Sequence, residues 1–275
     1  MSRLRMTFVL LLLLVLGSPD SDAAECPVVP PVPARTSGDM DFYNSWQHVS
    51  KPYLARYAVR SDEEPPFGVG YLDVLNADKY YYDWARNIVL PLWNKPEGEA
   101  FYGWIHSGRV YPVRNAIPYA LTGAGLVETE YEFSSFIVHE ALDGGWLRIR
   151  LKPGENGDIW THRCHLEIGA ANLAYKEWES FLREHSDWLH FRSQVPHTLR
   201  KEPNVSSPRI TMIGLDHKLI LREIHGNWMR VTVEQPDRTC NGRPERELRG
   251  SIHEGWVKWR DEENGPWVWV YTRGC

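Results

Sequence analysis

The chain has 275 residues, of which 43% are hydrophobic and 24% charged, and its formal net charge is −5. This composition is typical of a folded protein with room for two modest domains. The acidic balance provides no general electrostatic attraction to nucleic acid or to an anionic membrane. The 13 tryptophans favour β structure and aromatic-lined surfaces.

Residues 1–23 have the pattern of a secretory signal peptide. Arg3 and Arg5 give a positive start, and an apolar segment from Phe8 to Leu16 follows that is too short for a membrane-spanning helix. Small residues at its end predict cleavage after Ala23. We therefore expect an exported protein, periplasmic or extracellular, with no stable membrane insertion.

Export implies an oxidising compartment, in which the four cysteines are expected to form disulfides. Three pairings are possible. Cys240 with Cys275 is favoured because both lie in the C-terminal region, where the bond would hold the last strand, and Cys26 would then pair with Cys164. The run His162–His165 has two histidines and one cysteine, but without a second cluster it favours a disulfide or a strand end over a metal site. No metal or other cofactor is expected.

The segment after the signal peptide has two parts. Residues 24–37 are rich in proline and are predicted to be an extended linker. Residues 38–83 contain scattered aromatic side chains, and we interpret them as an irregular, partly packed N-terminal extension. An exposed loop is expected within it at residues 61–66.

From residue 84 onward the sequence repeats itself, which is its most informative property. Each copy has a strand that contains proline, then a hairpin with a Gly-Gly or Gly-Asn turn, and then a further strand. Glycine and asparagine supply the positive φ angles of tight turns, and the alternation after each turn predicts half-buried strands. In the first hairpin this alternation places Leu147, Ile149 and Leu151 on one face and Trp146, Arg148 and Arg150 on the other, and the period alone does not decide on which face Trp146 meets the core. The matched segments are 90–96, 136–151 and 158–161 in the first copy, and 195–203, 219–233 and 255–259 in the second.

Between the copies, residues 169–184 are the best helix candidate. Residues with high helix propensity predominate there, and the larger apolar side chains fall near one face. We expect a short connecting helix within a linker that spans residues 168–186. The apolar residues of that face are Leu173, Trp178, Phe181 and Leu182.

The repeated pattern resembles bacterial SH3 (SH3b) domains. The segments Gly144–Leu151 and Gly226–Val233 carry most of the resemblance, and Gly255–Val257 supports it. The resemblance implies a mainly β protein with two tandem, small SH3-like barrels, at residues 84–167 and 187–275. Residues 107–131 form a longer insertion than a compact SH3b domain needs.

The SH3b resemblance implies a non-catalytic binding protein whose default ligand is peptidoglycan, especially its peptide stems. An exposed tryptophan beside a cation also suits peptide or glycan recognition, through stacking and cation–π contacts. Trp256 and Trp259 lie three apart on one strand, so they are expected on opposite faces. The candidate ligand-binding residues are Trp146, Arg148, Trp228, Arg230, Trp256 and Trp259.

Two other functions remain open. One is a periplasmic scaffold that binds an envelope protein through the same surfaces. The other is a cell-wall hydrolase with a site in residues 38–83 or in the inserted loops. The sequence has no nucleophile elbow, zinc-protease helix or phosphate loop, so no catalytic residue is assigned and an enzyme is not expected.

Overall fold

The structure, a computed structural model, describes residues 25–34, 67–76, 84–113, 118–121, 126–130, 133–151, 158–192, 196–214, 217–234, 253–261 and 265–270. The predicted signal peptide, the loop at 61–66 and the predicted Cys240–Cys275 bond lie outside these residues. The described chain is mainly β, as predicted, and its strands pair antiparallel.

Ten strands form the first sheet. They are β1 (Gly70–Val74), β2 (Val89–Trp93), β3 (Phe101–His106), β4 (Arg109–Pro112), β5 (Tyr119–Ala120), β6 (Leu126–Glu130), β7 (Phe133–Ala141), β8 (Trp146–Arg150), β9 (Asp158–His162) and β10 (Leu173–Glu177). Their order in space is β10-β1-β7-β8-β9-β2-β3-β4-β5, and β6 pairs with β7 beside this path.

Seven strands form the second sheet, and a small two-stranded ribbon lies near its end. The seven are β11 (Leu189–Phe191), β12 (His197–Arg200), β13 (Arg209–Ile213), β14 (Lys218–His225), β15 (Trp228–Glu234), β16 (His253–Lys258) and β19 (Val268–Val270). The ribbon consists of β17 (Arg260–Asp261) and β18 (Gly265–Pro266). The order in the second sheet is β13-β12-β16-β15-β14-β11-β19.

Helical structure is limited to four short segments of the described residues. They are α1 (Trp84–Asn87), α2 (Trp178–Glu184) and two 3₁₀ turns, at Pro96–Gly98 and Arg163–His165. None of the helices within the described ranges has the length and apolar character needed to cross a bilayer.

The two sheets share one strand order. Reading from one edge, the first sheet runs β10-β1-β7-β8-β9-β2-β3, and the second runs β19-β11-β14-β15-β16-β12-β13. When the strands of each sheet are numbered in chain order and the extra strands β4, β5 and β6 are left out, the two paths have the same order. The repeat seen in the sequence is therefore also a repeat of topology. Across the described strands, each sheet is an open path with two edges rather than a closed barrel.

Strand β1 lies inside the segment predicted to be an irregular extension. It pairs with β7 on one side and with β10 on the other, and Tyr71 and Leu72 are both buried. Because β1 corresponds to β11, the first repeat begins before residue 84. The expectation of an irregular extension fails at β1, since the alternating side chains of this strand fill two cores.

Both predicted hairpins are present. β7 and β8 meet at a turn in which Gly145 has φ +85°, and β14 and β15 meet at a turn in which Gly226 has φ +57°. Leu147, Ile149 and Leu151 are buried, so theirs is the face of the first hairpin that packs in the core.

The predicted helix over residues 169–184 is wrong in its first half. Leu173–Glu177 is strand β10, which pairs with all five residues of β1, and only Trp178–Glu184 is helical. Pairing with a distant strand overrides helix propensity here, because propensity is a weak preference compared with tertiary contacts. The apolar face predicted for the helix survives in α2, where Trp178, Phe181 and Leu182 are buried.

Two hydrophobic cores hold the fold together. The first lies within the first sheet and includes Leu72, while the second lies against the second sheet and includes Tyr71 from the opposite face of β1. Helix α2 joins the sheets: the Trp178 indole is stacked 4.8 Å from the Tyr71 ring and 5.1 Å from the Trp269 ring. The Trp178 indole N–H also donates a hydrogen bond of 2.8 Å to the Phe67 carbonyl.

Candidate functional site

The outer face of the second sheet carries a row of polar and aromatic side chains. In the strand register, Arg230 on β15 lies opposite Glu223 on β14 and opposite Trp256 on β16, and Trp256 lies opposite Arg200 on β12. Residues opposite one another in antiparallel strands share a face of the sheet. The side chains of these four residues therefore form one line across the four strands.

A second, shorter row lies beside the first. Trp228 is opposite Lys258, two positions along the same strands, which is about 7 Å away. Both Trp228 and Trp256 are half-buried, so part of each indole faces solvent. Met229, between the two rows, is fully buried in the core beneath them. Because side chains alternate between the two faces, the indoles of Trp228 and Trp256 lie on one open face with the cationic side chains. We call this face, with Arg200, Arg230 and Lys258, the outer surface.

Arg230 is held in place by carboxylates on both sides. Its guanidinium forms an ion pair with Glu254 and lies 4.0 Å from Glu223, while 46% of the side chain remains exposed. Exposed ion pairs of this kind contribute little to stability. A ligand carboxylate could therefore replace one of these partners at low energetic cost, since the guanidinium is already oriented.

The first sheet carries the equivalent row, but there one end of the row is buried. Arg148 on β8 lies opposite Glu140 and Trp160, and Trp160 lies opposite Trp93. The Arg148 Nε donates to the Glu140 carboxylate at 3.0 Å, and 29% of the arginine side chain is exposed. Trp93 is buried, whereas the equivalent position of the second sheet is Arg200.

Trp146 is much less accessible than its equivalent, Trp228. Its side chain is 8% exposed and packs edge-on against Trp93, with ring centroids 5.1 Å apart, and against His162 at 5.0 Å. The prediction of Trp146 as a ligand-binding residue is therefore not supported by its position, because its neighbours already cover the indole.

Trp259 is fully buried, at 0% exposure, and lies opposite to the face that carries Trp256. Its indole N–H donates to the Gly226 carbonyl at 2.9 Å, and its backbone N–H donates to the Asn227 carbonyl. Its assignment as a ligand-binding residue is corrected: it fills the core and supports the second hairpin turn. The prediction that Trp256 and Trp259 point to opposite faces agrees with their burial.

A second polar site surrounds a disulfide on the first sheet. Cys26 and Cys164 are bonded, which confirms this predicted pair. Cys164 lies in the 3₁₀ turn Arg163–His165 directly after β9, and both cysteines are exposed. The bond fixes the proline-rich segment 25–34, which has no helix or strand and no buried residue, to the end of the first sheet.

His162 has a fixed orientation beside this disulfide. Its Nε2 lies 2.7 Å from the Gly144 carbonyl, which can only accept, so Nε2 carries the proton. Its Nδ1 is therefore an acceptor: it accepts from the Cys164 backbone N–H at 3.3 Å and also lies 3.0 Å from the Cys164 Sγ. A Cβ on Gly145 would come within 2.8 Å of the His162 Nε2, so a glycine there is needed for the ring to approach the turn.

His165 occupies the other side of the disulfide. Its Nε2 donates to the Pro27 carbonyl at 2.8 Å, and its ring stacks on Trp93 at 5.7 Å. Burial lowers the pKa of His165, the hydrogen bond with the Pro27 carbonyl partly opposes this shift, and the neighbouring His162 lowers the pKa further. The Cys26 Sγ lies 3.6 Å from its Nε2.

The sulfur atoms of both cysteines and a ring nitrogen of His165 lie within 4.8 Å of one another, close enough to suggest a metal site. The two sulfurs are bonded to each other, however, and metal ligation requires thiolates. At this run the sequence favours a disulfide over a metal site, and the structure has the disulfide.

Sequence reasoning missed two contributors to these sites. Arg200 joins the outer surface only through the pairing of β12 with β16, and Pro27 reaches the first sheet only through the disulfide. Neither has a local signal, because each depends on contacts between residues far apart in sequence.

No protein-family model, curated protein or solved structure matches this chain. The internal repeat and the geometry of these two sites are therefore the basis for a functional proposal.

Proposed function

We propose that this chain is an exported, non-catalytic binding protein with two SH3b-like units, and that it recognises a cell-envelope ligand such as peptidoglycan through its outer surface. The observation that carries this proposal is the pair of half-exposed indoles, Trp228 and Trp256, beside the oriented guanidinium of Arg230. The repeated strand order supports the idea of two related units, which the SH3b resemblance suggested.

The chemistry of the outer surface suits peptidoglycan. Indole rings stack on the apolar faces of sugars, and a guanidinium binds carboxylates with two parallel hydrogen bonds. Peptidoglycan offers both sugar rings and the carboxylates of its peptide stems. Lys258, opposite Trp228, adds a second positive charge for an anionic group of the ligand.

The disulfide and the predicted signal peptide support export. A disulfide persists in an oxidising compartment, and Cys26 lies just after the predicted cleavage position. The bonded segment 25–34 would then be the first part of the mature chain.

The test is co-sedimentation of the mature protein, residues 24–275, with purified peptidoglycan sacculi. Trp228→Ala and Trp256→Ala are compared with Trp188→Ala, in which the substituted tryptophan is 62% exposed. Trp188 packs beside Lys218, at the opposite end of β14 from the outer surface, so it is a matched control for loss of an exposed indole. Each variant is checked for native near-UV circular dichroism.

We expect saturable binding by the wild type, and a fall of about tenfold in affinity for each outer-surface variant, which corresponds to about 1.4 kcal/mol. Trp188→Ala should bind like the wild type. Absence of binding at low salt would overturn the peptidoglycan proposal. Co-purification of one stoichiometric protein that survives digestion of the sacculi would instead favour the scaffold.

A further inference from the structure

The Cys26–Cys164 disulfide lies in a setting that a purely structural cross-link does not need. Both cysteines are exposed, and the Nδ1 lone pair of a buried histidine lies 3.0 Å from one of the sulfurs. The Gly144 carbonyl fixes the tautomer and orientation of that ring. A thiol, a base within hydrogen-bond distance and a third group that orients the base are the elements of an activated sulfur nucleophile.

We propose that Cys26–Cys164 is an exchangeable disulfide, in which His162 stabilises Cys164 as the leaving thiolate, and that its substrate is a dithiol. This exchange is independent of what the outer surface binds. Each protein molecule exchanges its disulfide once with one dithiol, so the proposed binding function remains non-catalytic.

The exchange proceeds in two balanced steps. A thiol of the dithiol gives its proton to the His162 Nδ1 and attacks the Cys26 Sγ, the Sγ–Sγ bond breaks, and its electron pair leaves on the Cys164 Sγ, which accepts a hydrogen bond from the protonated Nδ1. The second thiolate of the dithiol then attacks the mixed disulfide and releases the Cys26 thiolate. The dithiol is oxidised to a disulfide, and the protein disulfide is reduced to two thiols.

The geometry favours departure from Cys164 rather than from Cys26. The better leaving sulfur is the one whose thiol is more acidic, and an adjacent imidazolium lowers the pKa of a thiol. Once protonated by the attacking thiol, the His162 Nδ1, which lies 3.0 Å from the Cys164 Sγ, can donate to the departing thiolate in place of the hydrogen bond that it accepts from the Cys164 backbone N–H. The nearest histidine to Cys26 is His165, whose Nε2–H is donated to the Pro27 carbonyl and whose Nδ1 is farther from its sulfur, at 3.8 Å.

Cleavage would also release the segment at the N-terminal side of the fold. All residues of 25–34 are exposed or half-exposed, and the disulfide cross-links them to the sheet. The remaining hydrogen bond to the sheet among their described contacts joins Pro27 to His165. We expect residues 25–34 to detach on reduction and to uncover the ring of His165.

The experiment measures reduction of the purified mature protein by dithiothreitol, followed by iodoacetamide labelling and peptide mass spectrometry. Peptide mapping distinguishes Cys26 and Cys164 from Cys240 and Cys275. The test variant is His162→Gln, whose amide nitrogen can still donate to Gly144 but which has no group at the position of Nδ1. His165→Gln is the control, because it changes the other histidine of the site and keeps His162.

For the wild type we expect Cys164 to be alkylated at pH 6 at least tenfold faster than in His162→Gln, and the disulfide to be reduced about tenfold faster at pH 7. His165→Gln should not slow either reaction. Equal rates in the wild type and His162→Gln would overturn the proposal.

A second measurement covers the case in which His162→Gln does not fold. In the reduced wild type, the alkylation rate of Cys164 should be nearly constant from pH 6 to pH 8, whereas that of Cys26 should rise with pH. Rates that rise in parallel for the two cysteines would also overturn the proposal, because they would show two ordinary thiols.

Discussion

Arg230 lies directly opposite Trp256 across β15 and β16, and Arg148 lies opposite Trp160 at the same place in the first sheet. In both sheets a glutamate occupies the next strand, immediately after a β-bulge, at Glu140 and at Glu223. The repeat therefore extends to the irregularities of the strands, which are positional features of a sheet and are not dictated by composition. What differs between the copies is access at two positions: Trp93 and Trp146 are buried in the first sheet, whereas their equivalents Arg200 and Trp228 are half-buried in the second.

The two hairpin turns provide a matched pair of glycine substitutions. Gly145→Ala should lower the free energy of unfolding by about 2–4 kcal/mol, because it combines a left-handed φ with a Cβ placed 2.8 Å from the His162 Nε2. Gly226→Ala shares the left-handed φ, but its Cβ meets no atom within 4 Å. It should cost only about 1–2 kcal/mol. Urea unfolding measures both, and equal losses would show that the contact with His162 does not constrain the turn.

Two buried histidines should make the stability depend on pH. Burial lowers the pKa of His190 to about 4 and that of His197 to about 4, both from 6.5. Lys218 also opposes protonation of His190, and a backbone hydrogen bond with His217 partly offsets these effects. Between pH 6.5 and pH 4 the unfolded chain binds more protons than the folded chain, so the free energy of unfolding should fall as the pH falls through this range.

The measurement is urea unfolding at pH 7.5 and at pH 4.5, for the wild type and for His197→Phe. The His197 ring stacks on Phe191 with centroids 3.8 Å apart, so phenylalanine can preserve the packing while removing the titrating group. We expect a smaller loss of stability between the two pH values in the variant. An identical loss in both proteins would exclude His197 as a source of the acid sensitivity.

Trp269 should be costly to remove. Its ring lies 5.1 Å from Phe67, 5.1 Å from Trp178 and 4.9 Å from Phe181, so it packs against the segment before β1 and against α2. Trp269→Ala should lower the free energy of unfolding by about 3–5 kcal/mol. The exposed Trp188, changed to alanine, should cost less than about 1 kcal/mol, and thermal unfolding of the two variants compares them directly.

Arg230→Ala should leave the stability of the fold nearly unchanged while it weakens ligand binding. Its ion pairs with Glu223 and Glu254 are solvent-exposed, so their loss should change the free energy of unfolding by less than about 1 kcal/mol. If the outer surface binds an anionic ligand, the same variant should lose most of its affinity for sacculi. A loss of several kcal/mol in stability would instead indicate that Arg230 is a structural residue.

The parts of the fold that could be predicted are those set by local chemistry. The glycines of both turns and the alternation after them define the hairpins, because turn geometry and side-chain period act over only a few residues. The Cys26–Cys164 bond was predictable from the number of cysteines and from the preference for Cys240 with Cys275, a pair that remains a prediction.

The parts that could not be predicted depend on distant partners. Leu173–Glu177 is a strand because β1 pairs with it about 100 residues earlier in the chain, and no local pattern reveals that partner. Trp146 and Trp228 occupy the same position in the repeat but differ in exposure. That difference is set by Trp93 and His162, which cover Trp146 and reach it from other strands.

The shared core around Trp269 also determines how this protein can be dissected. A fragment of residues 187–275 would match the second repeat in the sequence, yet it would lack Phe67, Trp178 and Phe181, and their absence would leave much of the Trp269 ring in water. Such a fragment should be poorly soluble or unfolded, whereas expression from residue 24 keeps the core complete. The duplication that is visible in the sequence thus does not coincide with a division of the core, because side chains of the first copy and of α2 help to fill the core of the second.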